Sequence, residues 1–228
     1  MQPGETIMKK MFTIETCRAA ASCTNACGDI KNLASTLEEI LEAQKLGEIL
    51  SRKIKGPVLS HHIFKVSLSG CPNSCSQPQI KDFGVQARAY PLVTREECSQ
   101  CGTCEAVCQE RAVRVGDRPE IKEELCLACG ACARVCPTGT LSIGERAYTV
   151  LIGGKLGRHP QLAKVLLEKA DAPAVERALK TTVELFVELA HGQEKLGALL
   201  NRIGLETVQR RLQAREGDGY GNNSGISA

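Results

Sequence analysis

Residues 98–136 of the chain read CSQCGTCEAVCQERAVRVGDRPEIKEELCLACGACARVC, and this stretch contains the same cysteine spacing twice. The spacing C-x2-C-x2-C-x3-C begins at Cys98 and returns at Cys126, and Pro137 follows the second run. Gaps of two residues let one tight loop present three thiolates to a single inorganic group, while the fourth cysteine reaches a second group. The repeat therefore predicts two metal-containing groups that tie the halves of the stretch together.

This spacing is typical of bacterial two-cluster ferredoxins, in which the fourth cysteine of each run ligates the other cluster. One [4Fe–4S] cluster is then assigned to the first set, which is Cys98, Cys101, Cys104 and Cys136. The other is assigned to the second set, which is Cys108, Cys126, Cys129 and Cys132. A pair of zinc sites is the alternative, but zinc ribbons use two separated C-x2-C pairs rather than runs of four.

Five further cysteines lie outside this stretch. Two of them are separated by five residues and two by three residues, and together they suffice for a third [4Fe–4S] cluster. We call these four the split set: Cys17, Cys23, Cys71 and Cys75. Phe64–Ser69 alternates apolar and polar residues, which predicts a half-buried strand ending just before Cys71. Cys27 is left over, either as an alternative ligand or, preferably, as a buried cysteine without a ligand role.

The C-x5-C pair followed by Ser-Gly-Cys-Pro-Asn resembles the signature of the sulfite and nitrite reductase family. The resemblance extends through residues 77–85, the glycine-rich residues 150–160 and residues 195–204, so it covers most of residues 12–212. In that family, a cysteine sulfur bridges a [4Fe–4S] cluster to the iron of sirohaem. The resemblance implies an α+β fold, in which a sirohaem/[4Fe–4S] half-domain carries an inserted ferredoxin-like module and C-terminal helices. It also implies an anaerobic oxidoreductase.

The same resemblance implies roles for individual residues. Cys75 would be the bridging ligand. Arg18 and Lys65 are basic residues near the motifs, and as catalytic residues they would face the open side of the haem, where the substrate anion would sit. For each basic residue near the motifs, a surface role is the alternative. Further sirohaem-binding residues would be Asn73, Gly153, Gly154, Lys155 and Arg158. For the glycines, turn geometry alone is the alternative explanation.

These assignments divide the chain into four parts. Residues 1–92 and 143–215 would form the sirohaem domain, residues 93–142 the inserted ferredoxin domain, and residues 216–228 a disordered tail. An apolar stripe from Leu33 to Leu50 predicts a helix that opens with a capping box of Ser35 and Glu38. A second stripe, from Val175 to Val187, predicts another helix.

The bulk composition excludes several classes of protein. The 228 residues include 13 cysteines and no Trp, only 3% are aromatic, and the net charge is +3. So few aromatic side chains argue against binding of single-stranded nucleic acid. With no apolar stretch near the roughly 20 residues of a membrane span and no secretory leader, we expect a cytoplasmic protein without membrane contact.

Two functions fit these features. The first is an enzyme that reduces a small anion, sulfite or nitrite, at sirohaem with electrons from the ferredoxin clusters. The second is an electron-transfer subunit of a larger redox complex. Only 16 residues precede Cys17, whereas the family's catalytic unit has two related halves. We therefore expect a homo-oligomer or a complex with another redox subunit, and a redox partner protein as electron donor.

Overall fold

The computed structural model describes residues 11–54 and 56–218. Its strands are β1 (Phe12–Thr16), β2 (Phe64–Ser69), β3 (Phe83–Val93), β4 (Val113–Val115), β5 (Pro119–Ile121), β6 (Leu141–Ile152) and β7 (Lys164–Ala170). Its α-helices are α1 (Ile30–Ala43), α2 (Leu46–Arg52), α3 (Thr103–Val107), α4 (Ala131–Arg134), α5 (Ala172–Leu189), α6 (Leu196–Ile203) and α7 (Leu205–Asp218). Short 3-10 helices form at Arg18–Ala20, Ser60–His62 and Pro78–Ile80. None of the helices in these residues is both long and apolar enough to cross a bilayer.

Five of the strands form one mixed sheet in the order β1-β2-β3-β6-β7. Strands β1, β2 and β3 run parallel, whereas β6 and β7 add to the sheet in antiparallel pairs. The predicted strand at Phe64–Ser69 is confirmed with the same bounds. The α+β class is confirmed as well, because the chain contains both α-helices and a sheet whose strands are partly parallel and partly antiparallel.

The main core lies between the sheet and a layer of helices. Phe64 and Leu68 of β2 and Val85 of β3 are buried in one hydrophobic cluster with Leu37 of α1 and Leu179 of α5. Successive strand residues point to opposite faces, so the alternate positions of β2 and β3 form a second, polar face. The alternating pattern in the sequence therefore gives the sheet an apolar face that packs against the helices and a polar face whose side chains form hydrogen bonds.

The first predicted helix differs from the structure in two respects. It begins at Ile30 rather than near Ser35, because the Asp29 carboxylate accepts hydrogen bonds from the backbone N–H groups of Lys31 and Asn32. Ser35 lies inside the helix, and its hydroxyl donates to the Lys31 carbonyl. The helix also ends early, since Lys45 has a left-handed backbone with φ of 52° and separates α1 from α2.

The connection from β2 to β3 is short and closely packed against the sheet. Parallel neighbours need a crossover of about a dozen residues, and residues 70–82 supply it with only a 3-10 turn at Pro78–Ile80. A side chain at Gly84 would place its Cβ 2.4 Å from the Pro78 carbonyl oxygen, so only glycine allows this approach. The crossover contains Cys71 and Cys75, and its close packing fixes their position.

The segment between β3 and β6 forms a separate projection. Val93 at the end of β3 pairs with Leu141 at the start of β6, and a second hydrophobic cluster around Cys104, Val113 and Cys132 lies beyond that pair. The sequence places the boundaries of the inserted domain at residues 93 and 142, next to this pair, and these boundaries stay a prediction.

At the other end of the chain, α7 reaches Asp218. The predicted disordered tail therefore begins within a helix, and its residues 219–228 lie outside the described part of the chain.

A buried ion pair joins three parts of the main domain. Asp82 is 2% exposed, and its Oδ2 accepts hydrogen bonds from Lys65 N at 2.9 Å and Lys195 Nζ at 3.0 Å. Lys195 also donates to the Ile63 carbonyl. Burial raises the pKa of the Asp82 carboxyl above its ordinary value, although the Lys195 cation opposes this.

Replacing Lys195 by methionine is expected to lower the free energy of unfolding by about 3 kcal/mol, because it leaves a buried carboxylate without its counter-ion. The folded state holds the Asp82 proton more tightly than the unfolded state does, so stability falls as the pH rises through the raised pKa. The loss in the variant should therefore be larger at pH 8 than at pH 5. Chemical denaturation at both pH values measures it.

The control is Arg52→Met. Arg52 pairs with Glu48 at 3.8 Å, but its side chain is 81% exposed, so we expect no measurable change. Equal stability of Lys195→Met and Arg52→Met at pH 8 would contradict the structural role of the Asp82 pair.

Candidate iron–sulfur and haem site

The split set forms because β1 and β2 are parallel neighbours that end at the same edge of the sheet. Thr16 pairs with Leu68, so the residues that follow each strand leave the sheet side by side. The backbone N–H of Cys17 donates to the Leu68 carbonyl at 3.2 Å. In return, the N–H of Gly70 donates to Cys17 Sγ at 3.3 Å. Cysteines that are 54 positions apart are thereby brought together by strand register.

The four thiols of the split set are electrostatic neighbours. Burial raises the pKa of the Cys71 thiol, a hydrogen bond from the Asn73 backbone opposes the rise, and the Cys75, Cys17 and Cys23 thiols add to it. Cys75 is exposed, and its Sγ accepts a hydrogen bond from Asn73 Nδ2 at 3.0 Å. The set therefore combines half-buried sulfurs with one sulfur at the surface.

The two ferredoxin-like runs fold as structural repeats. Gln100 and Ala128 occupy equivalent places and have left-handed backbones, with φ of 56° and 52°. Each donates its N–H to the sulfur two residues earlier, Cys98 or Cys126, at 3.4 Å. Left-handed glycines at 102 and 130 then begin the short helices α3 and α4. The sequence repeat thus produces a repeated loop that turns N–H groups towards sulfur.

The cysteines of the first set line one shallow recess. Burial raises the pKa of the Cys104 thiol, and the Cys136 and Cys101 thiols add to this rise. Cys136 Sγ accepts a hydrogen bond from the Leu141 backbone at 3.3 Å. A cysteine of the later run is therefore beside the cysteines of the earlier run, as the exchanged assignment requires.

In the second set, a cysteine of the earlier run lies beside the cysteines of the later run. Burial raises the pKa of the Cys132 thiol to about 11, with contributions from the Cys126, Cys129 and Cys108 thiols. Cys108 Sγ accepts a hydrogen bond from the Ala112 backbone at 3.2 Å. Cys108 therefore lies with the later run.

These arrangements fit the thiolates of polynuclear clusters. Each set receives at least one hydrogen bond from a backbone N–H to sulfur, and such bonds stabilise and tune cluster thiolates. Within residues 11–54 and 56–218, no three or more His, Cys, Asp or Glu side chains are arranged to hold a single metal ion. A [4Fe–4S] cluster presents four separate irons, so its thiolates do not converge on one point.

The glycine-rich loop after β6 is fixed by close contacts with its surroundings. A Cβ at Gly153 would lie 2.5 Å from Leu200 Cδ1, and one at Gly154 would lie 2.5 Å from the Gln79 carbonyl oxygen. Gln161 Nε2 donates to the Gly153 carbonyl at 2.8 Å and to the Gly197 carbonyl at 3.1 Å. Protein packing thus explains both glycines, and their role towards sirohaem stays a prediction. The contact with Gln79 does place this loop beside the crossover that carries Cys75.

The predicted basic residues fall in different places. Arg18 is exposed and directly follows Cys17, and Lys155 and Arg158 belong to the glycine-rich loop. Lys65 lies six residues before Cys71, which corresponds to about 20 Å of extended chain, and its Nζ donates to Ser60 Oγ at 3.1 Å. The structure therefore brings Arg18 to the split set but leaves Lys65 at the opposite end of β2.

Sequence reasoning missed a hydrogen-bonded chain on the polar face of the sheet. Gln86 donates to Ser74 Oγ at 2.5 Å, and Arg88 donates to Gln86 Oε1 at 2.7 Å. Arg88 also donates to the Leu127 carbonyl at 2.7 Å. The alternation within Phe83–Val93 places these two residues on one face, but their partners depend on how the inserted segment docks.

The position of Cys27 was also left open by its sequence. It is fully buried, and its Sγ donates to the Cys129 carbonyl at 3.4 Å. Burial, together with the nearby Cys71 thiol, raises the pKa of the Cys27 thiol to about 11. Cys27 therefore carries a neutral thiol that points at the second set.

The split set lies where β1 and β2 end, and the first and second sets lie in the segment between β3 and β6. Three such cysteine sets are typical of an iron–sulfur redox protein. The chain belongs to the nitrite and sulphite reductase 4Fe-4S domain family, whose model matches residues 7–218. This membership confirms the resemblance to sulfite and nitrite reductases and supports iron–sulfur binding by the chain.

Two relatives and one solved structure give the extent of the similarity. The coenzyme F420-dependent sulfite reductase of Methanocaldococcus jannaschii is 34% identical over 197 residues, which are 83% of this chain and 31% of that protein. An uncharacterised protein of the same organism is 28% identical over 191 residues, 84% of this chain and 62% of that one. The chain thus spans less than two thirds of either relative.

The crystal structure of a dissimilatory sulfite reductase I superposes with a TM-score of 0.59 at 19% identity. The superposition covers 90% of this chain and 52% of that chain. It confirms the sulfite-reductase type of fold.

Proposed function

We propose that the chain holds three [4Fe–4S] clusters and a sirohaem, and that it reduces sulfite or nitrite at the haem. The observation that carries this proposal is the split set, in which strand register gathers four thiols and leaves Cys75 at the surface. A bridging ligand must be reachable by a second cofactor, and Cys75 is the exposed member of the set.

The residues around Cys75 suit a flat anionic cofactor. When bound, sirohaem would supply the iron at which the anion is reduced, and the clusters would supply electrons. Asn73 holds Cys75 Sγ by its side-chain amide. Lys155 and Arg158, on the loop that contacts the same crossover, would pair with carboxylates of the macrocycle. Arg18, which follows Cys17, would hold the substrate anion by its guanidinium.

A second function is favoured by the position of Lys65. Of the two cations expected to hold the substrate anion, only Arg18 lies at the split set, because Lys65 bonds Ser60 at the far end of β2. The chain would then be an electron-transfer subunit that relays electrons within a larger redox complex.

We also propose that the chain works in an assembly, as a homo-oligomer or with another redox subunit. Leu156 and Leu162, on and beside the glycine-rich loop, are 65% and 70% exposed. Apolar side chains grouped in this way are commonly covered by a ligand or a partner.

The experiment is purification without oxygen, followed by iron analysis, a visible spectrum and an assay with sulfite or nitrite and reduced methyl viologen. Under the first function we expect about twelve cluster irons per chain, haem absorption and formation of sulfide or ammonia. Haem absorption without turnover, in a preparation whose light scattering shows the chain alone, favours the subunit function. About eight irons without haem absorption would overturn the sirohaem proposal, because only the ferredoxin-like sets would then be loaded.

A further inference from the structure

Cys27 connects the split set to the second set through hydrogen bonds. Its backbone N–H donates to the Gly70 carbonyl at 2.7 Å, and Gly70 is joined by its peptide bond to Cys71. On the other side, Cys27 Sγ donates to the carbonyl of Cys129 at 3.4 Å, which is closer than its other acceptor, the Asn25 carbonyl at 3.6 Å. One residue thus bonds to the peptide that precedes one cysteine ligand and to the peptide of another.

A second connection runs beside it on the polar face of the sheet. Arg88 donates to the carbonyl of Leu127, between Cys126 and Cys129, and also to Gln86. Gln86 in turn donates to Ser74, the neighbour of Cys75. These side chains hold the loop of the second set in a fixed position relative to the loop of the split set.

The lengths of the strands explain why the second set, and not the first, lies next to the split set. Gln86 of β3 pairs with Ser69 at the end of β2, but β3 continues to Val93. Cys129 docks on this extension opposite Ala89, three residues or about 10 Å past the edge. A Cβ at Gly130 would lie 3.0 Å from Ala89 Cβ, so the loop packs on the strand without a gap.

The first set lies further along the β3–β6 ladder than the second set, beside Leu141, which pairs with Val93. Its recess is lined by Val115 and Pro119 of the small β4–β5 sheet and by Leu141. Cys101 is exposed, and the Thr103 hydroxyl donates to its sulfur at 3.4 Å. Cys101 gives a donor protein access to this set. Cys129 of the second set is exposed as well, so the order of the sets rests on their places along β3 and not on exposure.

We propose that electrons enter at the first set and pass through the second set to the split set, and that Cys27 forms the contact for the last transfer. In that transfer one electron leaves the group held by the second set, which is oxidised by one electron. The group held by the split set is reduced by the same electron. The source is a low-potential one-electron donor at the first set, for which dithionite substitutes in the test. The inference rests on the proposed cluster content.

Cys27 suits this role because its covalent and hydrogen bonds fill the space between the peptide of Cys129 and the peptide that precedes Cys71. Electron tunnelling decreases steeply with distance, and it decreases faster through empty space than through covalent and hydrogen bonds. The path from Cys129 to Cys71 crosses two hydrogen bonds, both made by Cys27. Arg88 and Gln86 are positioning residues, since they hold the two loops but lie outside this path.

The order of the sets is tested with two matched double variants of the holo-protein. Cys101→Ala/Cys104→Ala removes two ligands of the first set, and Cys129→Ala/Cys132→Ala removes the equivalent two of the second set. Iron analysis first checks that each variant holds about eight cluster irons, which tests the proposed function separately. Electron paramagnetic resonance of dithionite-reduced protein, with carbon monoxide to keep ferrous haem diamagnetic, then measures magnetic coupling between the remaining clusters.

We expect coupling to persist when the first set is lost and to disappear when the second set is lost. The opposite pattern would overturn the order, because it would place the first set beside the split set.

The role of Cys27 is tested by Cys27→Ala and Cys27→Ser in the same holo-protein. Serine keeps a donor to the Cys129 carbonyl, whereas alanine removes it. Iron content should stay unchanged in both variants. The rate at which the split set is reduced, followed by rapid freezing after mixing with dithionite, should fall about tenfold in Cys27→Ala and recover in Cys27→Ser.

Two results would count against this role. Equal rates in Cys27→Ala and the unchanged protein would remove Cys27 from the path, and a loss of iron in Cys27→Ser would make it a ligand instead. Cys27→Val keeps the apolar volume without a donor, and it replaces the alanine variant if that variant fails to fold.

Discussion

Two double variants that share Cys108 are expected to lose different amounts of iron. In Cys108→Ala/Cys126→Ala both substitutions fall in the second set, so iron should fall from about twelve to about eight atoms per chain. In Cys104→Ala/Cys108→Ala they fall in different sets, so both ferredoxin-like clusters lose a ligand and iron should approach about four. The reason is the exchanged geometry, in which Cys108 neighbours Cys132 and Cys104 neighbours Cys136.

Iron analysis and cluster absorption of anaerobically purified protein measure this difference. Cys27→Ala is the matched control, since Cys27 is a buried cysteine outside all three sets and its loss should leave iron unchanged. If each run held its own cluster, the two double variants would change places: Cys104→Ala/Cys108→Ala would keep about eight irons and Cys108→Ala/Cys126→Ala about four.

Replacing Cys75 by serine is expected to abolish sirohaem absorption while the ferredoxin-like clusters keep their resonance signals. Cys75 is the exposed thiol of the split set and is held by Asn73, so its sulfur is the one that a second cofactor can share. The first and second sets use other loops and other hydrogen bonds. A visible spectrum and electron paramagnetic resonance of the same sample separate the two effects.

Cys136→Ser provides the reverse control, because it disturbs the first set alone and should leave haem absorption in place. An unchanged haem spectrum in Cys75→Ser, with haem present in the parent protein, would show that another residue is the bridge.

Elements with a regular pattern could be predicted from the sequence. The alternation in Phe64–Ser69 gave the bounds of β2 correctly, since burial of one face leaves a period of two in the chain. The start of α1 was wrong because two N-cap patterns compete there, and Asp29 rather than Ser35 satisfies the first N–H groups. The break at Lys45 carries no signal, because a left-handed backbone at a lysine is imposed by the surrounding fold.

The candidate site could be predicted only where its residues are cysteines at regular spacing. Cysteine spacing fixes which thiols are close, because short loops leave few arrangements around one cluster. Cys27, Gln86 and Arg88 have no such constraint. Their partners, Cys129 and Leu127, belong to the inserted segment, and the contact depends on how far β3 extends past its neighbours. Lys65 is close to Cys71 in sequence but not in space, because its side chain bonds Ser60 at the end of β2 that is away from the split set.

The pairing of Val93 with Leu141 also bears on how such a chain can change during evolution. These residues are neighbours across two antiparallel strands, so the chain leaves the main sheet and returns to it at one point. A tight turn of a few residues closes a hairpin at such a place. The segment between Val93 and Leu141 can therefore be gained, lost or exchanged there as a single genetic event, while the register of the five-stranded sheet and the spacing of Cys17 and Cys71 stay the same.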